Sequence, residues 1–292
     1  MTVADRRTGA LVTEPQFGDT GLRLLYGWPG LLPLVNAVFA QRWFSSLLAW
    51  PATWRRSADR IPAFVAAHGV SLDDTEPRTY ASFADFFTRA FRPGARPVDP
   101  DLRRLIAPAD ARLLVYPVTE RLTVQAKGFT YTVADLLGRP VLAGDAPAWC
   151  LVFRLTVSDV HRYCFMDDCT VRDTVSVPGK LHTVGPWSAG RVRVLAENHR
   201  VVTRLTTRGF GDMTVIEVGA MLVGRIVNHP VREARRGQEK GFFAYGGSTI
   251  VVLTTAVPDA DIVVWSARGI ETRVRQGEGI ATASEGGGDH DS

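Results

Sequence analysis

The sequence has few cysteines and little excess charge, and each shortage argues against a class of protein. Three cysteines, Cys150, Cys164 and Cys169, occur among 292 residues, and no Cys-x-x-Cys pair is present. Three is too few for a disulfide framework and the spacing does not suit zinc, so we expect no metal and a reducing compartment. The net charge is only +4 and no RRM, KH or zinc-finger spacing occurs, so we expect no nucleic-acid partner.

A long hydrophobic run is also missing, because no uninterrupted apolar stretch reaches the ~20 residues that a membrane-spanning helix needs. The densest apolar region, residues 20–60, is broken by prolines and rich in arginine, and four of the seven tryptophans lie between positions 28 and 54. Tryptophan and arginine beside aliphatic residues are typical of a helix on a membrane surface. Amphipathic helices that pack on the protein's own core, or on a second subunit, fit the same residues equally well.

The order of these patterns predicts an α+β fold, with an N-terminal helical segment followed by a compact, mostly-β core that is sandwich- or barrel-like. Residues 1–19 are polar and predict a flexible N-terminus, and residues 20–100 predict a helical segment that faces a membrane or forms a dimer. Residues 101–276 predict the β-rich core. The glycine-rich, acidic residues 277–292 predict a disordered tail.

Local signals predict the individual elements. Ile61–Gly69 predicts a short helix closed by its glycine, and Ser82–Arg89 predicts a helix capped by Ser82, with Asp85 in the place of a capping-box acid. Val133–Leu137 predicts a further helix. Short β-branched runs punctuated by Gly, Pro and Asp predict strands at Leu113–Tyr116, Leu122–Gln125, Cys150–Val157, Thr170–Val177, Val192–Ala196, Val201–Thr206, Met213–Val218, Ile250–Thr255 and Asp261–Trp265.

Residues 241–253 combine an aromatic run, two glycines, a serine and a threonine, and a β-branched run. The local pattern favours a glycine turn or bulge between two strands. The same residues also allow a strained peptide at Gly247-Ser248, with the Ser248 hydroxyl placed to attack the preceding carbonyl. A serine needs a base to act as a nucleophile, so this second interpretation depends on partners elsewhere in the chain.

Two other residues have the chemistry that such a nucleophile needs. Asp110 follows a proline turn and precedes a predicted strand, where an aspartate more often makes only a local turn hydrogen bond. His161 follows the apolar strand Leu151–Val157, and a histidine there can act as a general base because its unperturbed pKa lies near neutrality. Taken alone, His161 is more simply interpreted as a structural or surface residue.

Taken together, these segments resemble the phosphatidylserine decarboxylase proenzyme family, in a branch with a single histidine in its His-Arg-Tyr-Cys segment. The resemblance extends from about Leu24 to Gly279, and the order and spacing of its motifs make it specific. These motifs are Phe86-Phe-Thr-Arg89, Arg92-Pro-Gly-Ala-Arg-Pro97, Pro108-Ala-Asp110, Lys127-Gly-Phe-Thr-Tyr131, His161-Arg162, Pro178-Gly-Lys-Leu181, Glu197-Asn198, Val218-Gly-Ala220, Val223-Gly224 and Gly246-Gly-Ser-Thr249.

The resemblance implies a precursor that cuts itself between Gly247 and Ser248, giving a β chain of residues 1–247 and an α chain of residues 248–292. It implies that Ser248 becomes a covalent pyruvoyl group at the start of the α chain. Such a group forms a Schiff base with the substrate amine and accepts the electrons that remain after CO₂ leaves, as pyridoxal phosphate does in other decarboxylases.

The resemblance also implies roles for particular side chains. Asp110, His161 and Ser248 are implied as the catalytic triad, in which Asp110 orients His161 and His161 takes the hydroxyl proton. His161 is also the candidate that returns a proton to the substrate carbon after decarboxylation. Thr249 is a candidate for a hydrogen bond near the scissile carbonyl.

The base is where this sequence departs from the commonest family pattern. Many members carry a second histidine three residues after the first, and that histidine is often assigned as the triad base. Cys164 stands at this position here. Either His161 acts both as the base for the serine hydroxyl and as the proton donor to the substrate carbon, or Cys164, His182 or His199 contributes.

The expected function is the conversion of phosphatidylserine to phosphatidylethanolamine and CO₂ by a peripheral enzyme on the cytoplasmic side of the cell membrane. Its expected partners are the phospholipid substrate, an anionic membrane surface and a second copy of the chain in a homodimer. Two alternatives stay open. The pyruvoyl chemistry can serve a soluble amino acid, or the chain can be an unprocessed, non-catalytic β-rich binding module.

Overall fold

The computed structural model describes most of the chain, namely residues 2–14, 30, 34–126, 128–141, 146–182, 191–221, 225–244 and 248–284. Several predicted features lie partly or wholly outside these ranges. They are residues 15–19 of the predicted N-terminus, the first part of the apolar region 20–60, Gly247 of the cleavage site, residues 285–292 of the tail, and the motif residues Lys127, Val223, Gly224 and Gly246.

The described residues form eighteen strands in four sheets. The first nine are β1 Thr2–Asp5, β2 Leu11–Thr13, β3 Arg104–Ile106, β4 Ala111–Pro117, β5 Thr123–Ala126, β6 Phe129–Thr132, β7 Trp149–Leu155, β8 Arg162–Cys164 and β9 Cys169–Val177. The other nine are β10 Arg200–Thr207, β11 Asp212–Gly219, β12 Arg225–Asn228, β13 Glu233–Ala234, β14 Glu239–Ala244, β15 Ser248–Thr254, β16 Val257–Pro258, β17 Glu271–Val274 and β18 Gly279–Thr282.

Short helices precede and connect these strands. The α-helices are α1 Arg42–Ala49, α2 Ile61–His68, α3 Phe83–Phe87, α4 Val133–Leu137, α5 Val194–Glu197 and α6 Ala260–Ala267, with a π-helical turn at Val35–Phe39 and 3-10 turns at Trp50–Thr53 and Arg55–Arg60. Two predicted helix ends are confirmed. Gly69 closes α2 with a φ of +57°, and the Ser82 hydroxyl accepts a hydrogen bond from the backbone N–H of Asp85 at the start of α3.

One sheet of ten strands forms the centre of the fold. Its order is β13-β9-β10-β11-β15-β7-β4-β17-β1-β2, and neighbouring strands are antiparallel except for the parallel pair β1 and β17. Within the described residues β13 and β2 remain at opposite edges, so this sheet is open and does not close into a barrel. The predicted α+β class with a mostly-β core is confirmed, in a layered form.

Two hydrophobic cores cover the two faces of the central sheet, because successive side chains of a strand point to opposite faces. The first core joins Phe153 and Ile250 of the central sheet to Phe243 of β14, which belongs to the small sheet β12-β14-β8. The second core joins Val251 of the same strand β15 to Leu136 of α4. The strand β15 is therefore buried on both faces, which suits its run of β-branched residues.

Both predicted chain ends need correction. The N-terminus of the predicted flexible segment 1–19 forms β1 and β2, which join the central sheet through β17. Arg6 fixes this region by binding Asp261 through Nε at 2.7 Å. At the other end β18 pairs with β3, and residues 279–281 of the predicted tail are buried.

Two predicted strands are helices instead. Val192–Ala196 overlaps α5, and Asp261–Trp265 lies within α6. The β-branched residues of α6 favour a strand locally, but Ile262 and Ser266 stand four residues apart and are both buried. The Ser266 hydroxyl accepts a hydrogen bond from the backbone N–H of Val115 in β4, so tertiary packing outweighs local propensity here.

Candidate active site

Ser248 is the first residue of β15, in the middle of the central sheet. It faces Leu155 of β7 on one side and Gly219 of β11 on the other. The side chain is fully buried, and its hydroxyl forms no hydrogen bond with any residue that the structure describes. Its partner in the predicted cleavage, Gly247, lies outside the described residues. A buried hydroxyl without a partner is costly, and such costs are commonly retained at functional sites.

His161 lies between β7 and β8 and is also fully buried. Its Nδ1 is 3.0 Å from the backbone oxygen of Asp159. A carbonyl oxygen can only accept a hydrogen bond, so Nδ1 carries the proton and Nε2 carries the lone pair. Nε2 forms no hydrogen bond within the described part of the chain. This is the tautomer that a general base requires.

The surroundings of His161 keep the imidazole neutral. The ring of Phe87 lies 4.2 Å from the imidazole, centre to centre. Burial lowers the pKa of His161 from 6.5 to about 3, and the positive charge of Arg89 acts in the same sense. Its hydrogen bond to Asp159 opposes these two effects. His161 is therefore an uncharged proton acceptor at neutral pH.

Two backbone connections bring His161 and Ser248 to the same end of the central sheet. Leu155, the last residue of β7, pairs with Ser248, and residues 156–160 then lead to His161. On the other side, the Phe243 N–H donates to the His161 carbonyl at 3.0 Å, and β14 with residues 245–247 leads from Phe243 to Ser248. A buried histidine and a buried hydroxyl are therefore linked by two short stretches of chain at this end of the sheet.

Asp110 is at this end of the sheet as well, but it contacts other groups. Its carboxylate accepts hydrogen bonds from Nε of Arg96 at 2.9 Å, from Nη2 of Arg96 at 2.7 Å and from the backbone N–H of Gln276 at 2.9 Å. No hydrogen bond joins it to His161 within the described residues. The predicted orienting contact is therefore not present, and the backbone carbonyl of Asp159 fills that position.

The alternative bases differ from His161 in protonation or in position. The Cys164 thiol is buried, and burial raises its pKa to about 12, so it is a neutral thiol and not a thiolate. His182 and His199 lie beyond β11 from Ser248. The carbonyl of His199 accepts from Gly219 of β11 at 2.9 Å.

Thr249 is fully buried, but its side chain points to the face opposite that of Ser248, because side chains alternate along a strand. Its neighbour across the ladder is Arg154 of β7. Arg154 in turn binds Glu271 of β17 through Nε at 2.8 Å, inside the core. The Thr249 hydroxyl forms no hydrogen bond with the described residues, and a bond to the scissile carbonyl stays a prediction.

The structure also contains a buried polar cluster that sequence reasoning missed. The Lys240 ammonium of β14 binds the Glu217 carboxylate of β11 at 2.7 Å, and both side chains are buried. Asn228 donates to the same carboxylate and accepts from the Tyr163 hydroxyl at 2.9 Å. Glu217 stands two residues before Gly219, so its side chain lies on the Ser248 face of the sheet. The signal that could have been noticed was a lone lysine beside an apolar aromatic run.

Comparison with known proteins identifies the family of the chain. Residues 83–282 match the family model described as phosphatidylserine decarboxylase. The chain is 38% identical over 289 residues to phosphatidylserine decarboxylase proenzyme 2 of Clostridium acetobutylicum, covering 98% of this chain and 99% of that protein. It is 33% identical over 292 residues to the phosphatidylserine decarboxylase proenzyme of Desulfitobacterium hafniense, and the match covers 97% of this chain and 98% of that protein. It is 34% identical over 295 residues to the phosphatidylserine decarboxylase proenzyme of Chlamydia felis, and the match covers 94% of this chain and 96% of that protein.

Proposed function

The chain belongs to the phosphatidylserine decarboxylase family, and we propose that it cuts itself at Gly247-Ser248 and then converts phosphatidylserine to phosphatidylethanolamine and CO₂. One observation supports the proposed chemistry most directly. A neutral, buried histidine with an unprotonated Nε2 lies at the same end of the sheet as a buried serine whose hydroxyl lacks a hydrogen-bond partner among the described residues.

The first reaction is the attack of Ser248 Oγ on the carbonyl carbon of Gly247. His161 Nε2 takes the hydroxyl proton as the new C–O bond forms, and the same proton passes to the amine of residue 248 as the C–N bond breaks. The product is an ester that joins the two halves of the chain. Loss of the Gly247 carboxylate from that ester by β-elimination, followed by hydrolysis, leaves a ketone at residue 248 and releases ammonia.

The Ser248 position fits a pyruvoyl group, because the residue is buried at the start of a central strand. Its hydroxyl also forms no hydrogen bond with a described residue. That group supplies a carbonyl for the substrate amine and a sink for the electrons left by CO₂. His161 is the proposed donor of the proton that returns to the substrate carbon. The fully buried surroundings of His161 and Ser248 exclude water, which protects a reactive carbonyl from side reactions.

The two products of the cut are proposed to stay together as one enzyme. The α chain of residues 248–292 contains β15, which pairs with β7 and β11 of the β chain of residues 1–247. Its strand β17 pairs with β1 and β4, and β18 pairs with β3. The buried ion pair between Arg154 and Glu271 also joins the two chains.

We propose a peripheral position on the cytoplasmic side of the membrane. The helical segment supports attachment to an anionic phospholipid surface. Trp43 and Trp50 are each 59% exposed and Trp54 is 49% exposed, beside the exposed cations of Arg55 and Arg56. Exposed indole rings with adjacent arginines suit the headgroup region of a bilayer. No helix in the described part of the chain combines the length and apolar character needed to span a bilayer.

Vesicle flotation tests this surface and separates it from a homodimer contact. We expect Trp43→Ser combined with Trp50→Ser to reduce binding to vesicles that contain phosphatidylserine, while the control Val264→Ser on α6, also an exposed apolar residue, binds normally. If the tryptophan variant binds vesicles normally but changes from dimer to monomer, the surface belongs to the subunit contact instead.

A decarboxylation assay on purified protein tests the substrate. We expect CO₂ from phosphatidylserine in detergent micelles and none from free serine, and we expect Ser248→Ala to release none from either. The control Ser176→Ala, on the exposed face of β9, keeps full activity. Activity on free serine alone would favour the soluble-substrate alternative, and a chain that neither cuts itself nor releases CO₂ would favour the binding module.

A further inference from the structure

Arg89 is a buried arginine that lies against the loop of His161. Its side chain is only 1% exposed, and no salt bridge joins it to a carboxylate anywhere in the described ranges. Burial lowers the pKa of this guanidinium. A buried charge is costly unless other groups compensate it, so its place beside the candidate base needs a physical explanation.

Arg89 and His161 share one hydrogen-bond acceptor. Arg89 Nη2 donates to the carbonyl oxygens of Ser158 at 2.6 Å and Asp159 at 3.1 Å. The same Asp159 oxygen lies 3.0 Å from His161 Nδ1. A carbonyl oxygen has two lone pairs and can accept both bonds. The guanidinium therefore fixes the carbonyl that selects the tautomer of the imidazole.

The end of α3 fixes the imidazole at further points. The Arg89 guanidinium lies 4.7 Å above the Phe86 ring, and the Phe87 ring packs against the imidazole of His161. The carbonyl of Thr88 accepts a hydrogen bond at 3.0 Å from Arg162, the residue after His161. Position and orientation of the imidazole thus depend on four consecutive residues, 86–89.

The other charged side chains around this loop are paired with one another. The pairs are Asp159 with Arg112, Arg162 with Glu239, and Lys240 with Glu217. Among the described residues, Arg89 is the charged side chain near His161 that forms no salt bridge with a carboxylate. A positive charge at this place opposes protonation of the imidazole, in the same direction as burial.

We propose that Arg89 is a positioning residue of the self-processing reaction, which keeps His161 as the neutral Nδ1–H tautomer so that Nε2 can accept the Ser248 proton. This role rests on the cleavage proposed above. It gives the motif residue Arg89 a physical role in two parts. The two carbonyl bonds of Arg89 set the geometry of the base, and its charge adds to burial in keeping the base unprotonated.

Nitrogen NMR of the histidines tests this role without relying on cleavage. The protein is the full chain with Ser248→Ala, labelled with ¹⁵N-histidine, and His161 is assigned from the spectrum that loses a signal in His161→Gln. We expect the Nδ1–H tautomer and no protonation down to about pH 5. In Arg89→Met we expect the titration midpoint to rise by at least one pH unit toward the ordinary value near 6.5. An unchanged midpoint, or the Nε2–H tautomer in the parent chain, would overturn the proposal.

Two matched variants complete the design. Arg78→Met removes an arginine that also lies over an aromatic ring, that of Tyr80, but it is partly exposed and pairs with Asp85. We expect it to leave the His161 midpoint unchanged. Arg89→Lys keeps the charge but cannot bridge two carbonyls in the same way. We expect it to keep the low midpoint and to slow cleavage, and cleavage at the native rate would contradict the positioning role even if Arg89→Met does not fold.

The rate of self-cleavage after cell-free synthesis, with Ser248 intact, links Arg89 to the reaction. With a midpoint near 3, His161 of the native chain is almost wholly unprotonated at both pH 7.5 and pH 5.5. The ratio of rates at pH 7.5 and 5.5 should therefore be larger in Arg89→Met than in the native chain, with an upper bound of about tenfold for a midpoint of 6.5. A purely structural role would lower both rates by the same factor and leave the ratio unchanged. If no chain cuts itself, the proposed function fails, while the NMR result still decides the effect of Arg89 on His161.

Discussion

Acidification should destabilise the uncut precursor because His161 is buried in its neutral form. Its pKa falls from 6.5 to about 3 on folding, so the unfolded chain binds the proton first as the pH falls. Stability is therefore complete above about pH 6.5 and decreases as the pH falls toward 3. For these two pKa values, linkage gives a loss of about 2 kcal/mol at pH 5 relative to pH 8 from this one side chain.

Urea unfolding of the Ser248→Ala precursor at pH 8 and pH 5 measures this loss. His182, whose pKa burial lowers to about 4, contributes in the same direction, so the two histidines must be separated. His161→Gln has no imidazole to protonate, and we expect its difference between the two pH values to be smaller by about 2 kcal/mol. Arg78→Met serves as the control and should lose as much stability as the parent. An equal loss in His161→Gln and the parent would refute a buried, neutral His161.

Three further outcomes follow from contacts in the core. Lys240→Met should destabilise the precursor by about 3–5 kcal/mol in urea unfolding because it leaves the Glu217 carboxylate buried without its partner, and adding Glu217→Gln should recover most of that loss. Cys164→Ala should cut itself on a denaturing gel whereas His161→Ala should not, and the reverse result would move the base to the thiol. Gly241→Ala should give little folded protein by circular dichroism, because a β-carbon there would lie 2.1 Å from a carbonyl oxygen of β12, and native-like folding would contradict this packing.

Much of the fold could be predicted from local pattern. The β-branched run 250–255 lies in a strand buried on both faces, and Ser82 caps its helix as its position before an apolar run indicates. The run 261–265 has similar composition but forms α6, because the placement of Ile262 against β4 outweighs strand propensity. Such outcomes depend on distant parts of the chain, which local periodicity does not report.

The candidate site is predictable in its residue types but not in its contacts. The order of the motifs is enough to select Ser248 and His161 as candidates. The group that orients His161 is a backbone carbonyl, and every residue has one, so the sequence carries no signal that distinguishes Asp159 for this role. The resemblance implies Asp110 in that role, but Arg96, fourteen residues earlier, binds its carboxylate. Long-range ion pairs of this kind follow from the tertiary fold.

Intact-mass measurement of the purified wild-type chain tests the central claim most directly. We expect two chains that copurify, one of residues 1–247 and one of residues 248–292 whose first residue is a pyruvoyl group and therefore gives no signal in Edman sequencing. Ser248→Ala should remain a single chain of about the full 32.0 kDa. A wild-type protein that remains one intact chain with an unmodified Ser248 would contradict self-processing, and with it the assignment of His161 and Ser248 as its base and nucleophile.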